Sequence, residues 1–97
     1  MKTAEILESL IGFDTVSRNA NMALINYVAE LFDAAGISYT ILKNETGDKG
    51  NLYASVGPLD RGGVMLSGHT DVVPVTGQDW TKDPFRLTVA DGRYYGR

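Results

Sequence analysis

The stretch Val64-Met65-Leu66-Ser67-Gly68-His69-Thr70-Asp71-Val72-Val73-Pro74 decides how the rest of the chain is read. Val64, Met65 and Leu66 form a short, continuously apolar run. Such a run suits a strand covered on both faces, and a short buried helix has the same pattern. Gly68 follows, and then His69, the single histidine of the chain. In open α/β sheets ligands bind beyond the carboxyl ends of strands, so His69 stands where a site residue belongs. Asp71 comes two residues later, and in extended backbone positions i and i+2 project to one side. A carboxylate beside an imidazole orients the ring, fixes its tautomer and raises its basicity as a metal ligand. The same pair also suits a general base and its orienter. On spacing alone, a surface or capping histidine is the commoner reading of a His-x-Asp pair. Zinc asks for more than this stretch supplies: about four protein ligands in a structural site and about three in a catalytic one. With no cysteine in the chain, further ligands are carboxylates or residues from elsewhere.

Upstream of this stretch the pattern is helical and then extended. Ile6, Leu7, Leu10 and Ile11 share one stripe and predict a helix from about Thr3 to Phe13, with Thr3 as N-cap and Gly12 closing it. Asp14 to Asn19 is polar and turn-like. A second helix is predicted from about Asn21 to Ala35, because Leu24, Val28, Leu31, Phe32 and Ala35 recur at helical spacing and Gly36 follows as a C-terminal glycine. Ile37 to Leu42 and Asn51 to Val56 read as strands, joined by a solvated hairpin tip over Asn44 to Gly50. Downstream, the chain is loop-like to about Pro84. Asp91-Gly92 then marks a tight hairpin turn, with Leu87 and Val89 before it and Tyr94 and Tyr95 on opposite sides of the strand after it. Two helices with several strands give an α/β reading.

Composition bounds the function. The chain has 97 residues, 43% hydrophobic and 22% charged, which is one ordinary soluble domain or part of one. The absence of cysteine excludes a disulfide scaffold, a zinc ribbon and a thiol nucleophile. A net charge of -3 argues against a nucleic-acid partner, which a basic face would recognise. Glu5 and Glu8 interrupt any apolar run long enough for a signal peptide or a spanning helix, so no membrane association is expected and the cytoplasm is the default compartment.

Three blocks in the second half narrow the reading further. Gly68-His69-Thr70-Asp71-Val72-Val73-Pro74 is followed by Trp80-Thr81-Lys82-Asp83-Pro84-Phe85, and then by Asp91-Gly92-Arg93-Tyr94-Tyr95-Gly96-Arg97. In this order they resemble the zinc-dependent amidohydrolases of the family that contains acetylornithine deacetylase, succinyl-diaminopimelate desuccinylase, aminoacylase and the glutamate carboxypeptidases. The resemblance covers most of the chain and is strongest from Leu66 to Arg97. Ile11 to Asn19, Gly62 to Ser67, and Val75 to Trp80 with Asp83 to Phe85 look most like the acetylornithine deacetylase branch.

The resemblance implies the N-terminal part of a zinc-exopeptidase-like catalytic domain, with helices packed on a mixed sheet and the dimerisation domain absent. It implies that His69 is a ligand to one of two zinc ions, which cobalt or manganese can replace. It implies that Asp71 is the catalytic-site carboxylate that holds this histidine in place. The bridging aspartate, the general-base glutamate and the remaining ligands would lie beyond Arg97, so the chain alone is expected to be inactive. The implied reaction is hydrolysis of an N-acyl amino acid: metal-bound hydroxide attacks the amide carbonyl while a glutamate takes the water's proton. For N-acetylornithine the products are ornithine and acetate. Succinyl-diaminopimelate or a dipeptide is the alternative substrate within the family, and a stand-alone interaction domain without catalysis is the alternative outside it.

Other residues have structural readings. Trp80 and Phe85 pack a long loop, Asp83-Pro84 makes a turn, and Arg18 and Asn19 belong to a solvated helix-entry loop. Exposed sheet edges and apolar faces predict self-association.

Overall fold

The computed structural model describes residues 2–97. Its elements are α1 (Thr3–Ile11), α2 (Met22–Ala34), β1 (Tyr39–Lys43), β2 (Gly50–Ala54), β3 (Thr88–Ala90) and β4 (Arg93–Tyr95). They fall into two compact units. One is Ala20–Thr70; the other joins Asp71–Arg97 to the N-terminal segment through Asn19. No helix among the described residues is long and apolar enough to cross a membrane.

The unit Ala20–Thr70 is a helix laid against an antiparallel hairpin. Helix α2 buries Leu24, Ile25 and Ala29. The buried stripe is therefore turned by about a residue from the one the spacing predicts: Val28, Leu31 and Phe32 are half-buried, and Ala35 is exposed. Asn21 stands at the N-cap position of the helix, where its side chain makes no capping bond and instead clamps the hairpin. Its Nδ2 donates to the Gly50 carbonyl at 3.0 Å, and its Oδ1 accepts from the Gly50 N–H at 2.8 Å. The helix ends at Ala34 with Ala35 as its C-cap, and Gly36 takes a left-handed φ of 68°. The Gly36 N–H bonds the Asp33 carbonyl at 3.1 Å and the Ile37 N–H the Phe32 carbonyl at 2.9 Å, the paired bonds of a Schellman ending. This turn sends the chain back as β1.

Strands β1 and β2 pair from Tyr39↔Ala54 to Lys43↔Gly50. Tyr39, Ile41, Leu52 and Ala54 are half-buried, whereas Leu42 and Tyr53 are exposed, as a period of two requires. The helix-facing side includes the Phe32 and Tyr39 rings, 6.2 Å apart. The Tyr39 hydroxyl donates to Asp33 Oδ2 at 3.1 Å. Desolvation and this carboxylate together raise the hydroxyl's pKa above its ordinary value.

The hairpin tip is more than a solvated loop. Asn44 and Lys49 exchange bonds through the Asn44 N–H and the Asn44 Oδ1, at 2.9 and 3.1 Å. Asp48 Oδ1 accepts from Asn44 Nδ2 and Thr46 Oγ1 at 2.7 and 2.5 Å. These two donors hold the Asp48 carboxyl below the ordinary carboxylate range. The Asp48 carbonyl in turn accepts from the Asn21 N–H at 3.1 Å, which ties the tip to the start of α2.

Val64, Met65 and Leu66 depart from the expectation of a covered strand. No strand or helix is assigned over residues 62–70, and these three side chains are 90%, 74% and 93% exposed. A strand exists only through ladder bonds to a neighbour. Among the described residues, β1 and β2 pair with each other, and no strand pairing includes residues 64–66.

In the other unit, α1 begins one residue earlier than the Thr3 cap predicts. Lys2 is the N-cap, and its N–H donates to Glu5 Oε2 at 2.9 Å. Glu5 thus supplies the carboxylate half of a capping box; a lysine side chain has no acceptor to supply the other half. Gly12 follows the helix in right-handed backbone, with φ of -65°. Ile6, Leu7, Leu10 and Ile11 are half-buried. The β3–β4 hairpin closes across Ala90↔Arg93 with Asp91 and Gly92 at φ of 52° and 70°. Two left-handed residues make the type I′ turn that the Asp-Gly pair predicts. Tyr95 is half-buried and Tyr94 exposed, the predicted alternation, and the Lys82 ammonium lies 4.4 Å from the Tyr95 ring centre.

The strand pairing among the described residues is thus two antiparallel pairs and one parallel bridge, Val16↔Val72. Helices with small antiparallel sheets make the chain α/β.

Candidate functional site

The parallel bridge organises the residues around Asp71. The Val72 N–H donates to the Thr15 carbonyl at 3.0 Å, and the Ser17 N–H donates to the Val72 carbonyl at 3.1 Å. Thr15 and Val16 are buried, at 5% and 4% exposure, while Ser17 and Asp71 are exposed. The turn before the bridge is held by Asp14, whose Oδ1 accepts from the Val16 N–H at 3.2 Å and from Asn19 Nδ2 at 3.1 Å. With the backbone fixed in this way, the Ser17 hydroxyl donates to Asp71 Oδ2 at 2.9 Å and approaches the Val72 carbonyl at 3.3 Å.

His69 and Asp71 fall in different units: the first unit ends at Thr70 and the second takes up the chain at Asp71. His69 is exposed, so its ring nitrogens are not locked in a core. It follows a segment that takes part in no strand pairing among the described residues, not the ladder-bonded strand that residues 64–66 predict. The partner that the structure gives Asp71 and that the motif did not reveal is Ser17, 54 residues away. The only sequence signal for it is its place in the Asp14-Thr15-Val16-Ser17 turn, which reads there as punctuation.

Further along, Gln78 collects two donors. Its Oε1 accepts from Trp80 Nε1 at 2.8 Å and also from the Arg97 guanidinium. The Arg97 guanidinium lies 5.1 Å from the Trp80 ring centre, and the Arg97 backbone N–H donates to the Pro84 carbonyl at 2.7 Å. The Phe85 N–H bonds Asp83 Oδ1 at 2.9 Å, an Asx turn at the expected Asp83-Pro84 position. Trp80 and Phe85 are half-buried and serve this loop's packing. Arg18 is exposed and Asn19 braces the turn, which matches a helix-entry loop.

Zinc, the cofactor that the resemblance implies, is matched by this chain in kind but not in number. An exposed imidazole is a suitable donor. Among the described residues, however, no group of three His, Cys, Asp or Glu is placed to hold an ion, and catalytic zinc takes about three protein ligands. The described residues therefore offer an imidazole of the right kind but do not complete such a set.

Residues 65–97 match the family model described as peptidase family M20/M25/M40. The chain is 42% identical over 89 residues to an acetylornithine deacetylase of Proteus mirabilis (strain HI4320), covering 91% of this chain and 23% of that protein. It is 36% identical over 98 residues to an acetylornithine deacetylase of Buchnera aphidicola subsp. Acyrthosiphon pisum (strain Tuc7), covering 95% of this chain and 26% of that protein. The chain thus spans about a quarter of the length of the curated relatives it matches. The His-x-Asp stretch lies inside the matched segment, and the likeness extends through both units. Residues 65–97 thus resemble peptidase family M20/M25/M40, and the chain is similar over most of its length to acetylornithine deacetylases.

Proposed function

We propose that this chain is the N-terminal segment of the catalytic domain of a metal-dependent amide hydrolase, and that the whole protein converts N-acetylornithine and water to ornithine and acetate, a step of arginine biosynthesis in the cytoplasm. One observation carries the reading: the Gly68-His69-Thr70-Asp71 block lies within the family-matched residues of a chain 42% identical to an acetylornithine deacetylase. In this reading His69 donates one ring nitrogen to a zinc ion. Asp71 is the active-site carboxylate that keeps that imidazole in its ligating orientation and tautomer. When bound, the metal supplies an activated water and charge stabilisation at the carbonyl oxygen. The chain's own share is one donor and the carboxylate that orients it, so the 97 residues alone are inactive.

The test is an assay of the intact protein that carries this segment, stripped of metal and then reloaded with zinc or cobalt. The reading expects equal release of acetate and ornithine from N-acetylornithine, restored by metal. It also expects much slower turnover of N-succinyl-diaminopimelate and of dipeptides. Preference for one of those substrates would move the protein to another branch of the family. Absence of metal-dependent hydrolysis from all of them would overturn the reading.

A further inference from the structure

We propose that Ser17 is a positioning residue for Asp71, and through it for the metal-binding histidine; this rests on the function proposed above. The Ser17 hydroxyl donates to Asp71 Oδ2 at 2.9 Å across 54 residues of sequence. The fold does not need that bond. The two segments are already joined by the Val72 N–H to Thr15 and the Ser17 N–H to Val72, at 3.0 and 3.1 Å, and are anchored by the buried Val16. Ser17 and Asp71 both lie exposed beside this bridge. A bond between two exposed side chains adds little to stability, but it does choose the orientation of the carboxylate. The choice is well supported. Ser17 is held by its own backbone bond to Val72, Asp14 stiffens the turn that presents it, and of the two acceptors within reach of its single proton Asp71 Oδ2 at 2.9 Å is nearer than the Val72 carbonyl at 3.3 Å. A fixed backbone limits where the short serine side chain can place its oxygen, and the hydroxyl proton rotates to meet the carboxylate. A carboxylate has two oxygens and about four acceptor positions, so holding Oδ2 leaves it able to orient an imidazole. Residues that orient ligands from outside the coordination sphere set metal affinity and rate without touching the substrate.

The test uses the intact zinc-loaded protein as wild type, Ser17→Ala, Ser17→Thr and His69→Ala. Its readouts are kcat and KM for N-acetylornithine, zinc affinity by chelator competition, and the melting temperature. Ser17→Ala is expected to lower kcat by about tenfold or more and to weaken zinc binding, with KM and melting temperature little changed. Ser17→Thr keeps the hydroxyl and is expected to restore both. If the wild type binds zinc and turns over, His69→Ala does neither, and Ser17→Ala equals the wild type, the role of Ser17 is overturned while the hydrolase reading stands. If Ser17→Ala loses rate only in step with a fall in melting temperature, the role is overturned as well. If the wild type neither binds zinc nor responds to His69→Ala, both fall.

Discussion

Asp48 shows how single side chains set this structure's local order. Its carboxylate accepts from Thr46 and Asn44 in a six-residue connection, and those bonds favour the charged form. A carboxyl whose folded-state pKa is lowered contributes stability that is present above its unfolded value and is lost as pH falls through the lowered one. The hairpin tip is therefore expected to keep its order at neutral pH and to loosen in acid below the ordinary carboxylate range. Carbon-13 titration of Asp48 should give a midpoint below the ordinary carboxylate value, and amide exchange at Asn44 and Lys49 should quicken as that midpoint is passed. A midpoint at or above the ordinary value would contradict the assignment. At the same scale, the spacing singled out His69 and Asp71 as candidates, because a rare residue type next to a glycine stands out. Ser17 was not legible. Its partner lies 54 residues off, and nothing in a Thr-Val-Ser-Arg run says which carboxylate the hydroxyl will meet.

Among the elements, those with local causes were readable. Helix α2 ends where Gly36 follows it, and the β3–β4 turn sits on Asp91-Gly92. Both positions need left-handed backbone, which costs an ordinary side chain about 1–2 kcal/mol. No atom lies within 4 Å of where a Cβ on Gly36 would stand, so backbone strain alone sets the cost there. Gly36→Ala is thus expected to destabilise the chain by about 1 kcal/mol and Gly36→Asn by less, since asparagine tolerates this region. Urea unfolding checks both; equal stability of Gly36→Ala and the parent would contradict the Schellman ending. The element that misled is Val64-Met65-Leu66. Apolar continuity reports what a segment seeks, not whether a ladder partner is present to accept it. The same distinction explains α2: spacing identified a helix, but which flank is buried depends on β2 and on Asn21 gripping Gly50, and that information is not local.

For the whole molecule, the exposed apolar residues set the behaviour. Val56, Leu59, Val64, Met65 and Leu66 are each at least 74% exposed within one run of sequence, and each two-stranded sheet has open edges. Contiguous apolar surface and unpaired edges favour association. The isolated 97-residue chain is expected to elute as species larger than one chain, growing with concentration, and Val64→Lys with Leu66→Lys should shift it toward the monomer. A monomer at every concentration would contradict this. The likeness to the family was legible at this scale because three blocks in order are far more specific than one His-x-Asp pair. The completed metal site was not, because the chain spans about a quarter of its relatives' length and holds one imidazole. The most direct measurement is the zinc content and turnover of the intact protein with His69 replaced by alanine. The account expects affinity for one zinc ion to fall by more than about 100-fold and hydrolysis of N-acetylornithine to vanish with it; a variant that keeps its full metal complement and its rate would contradict it.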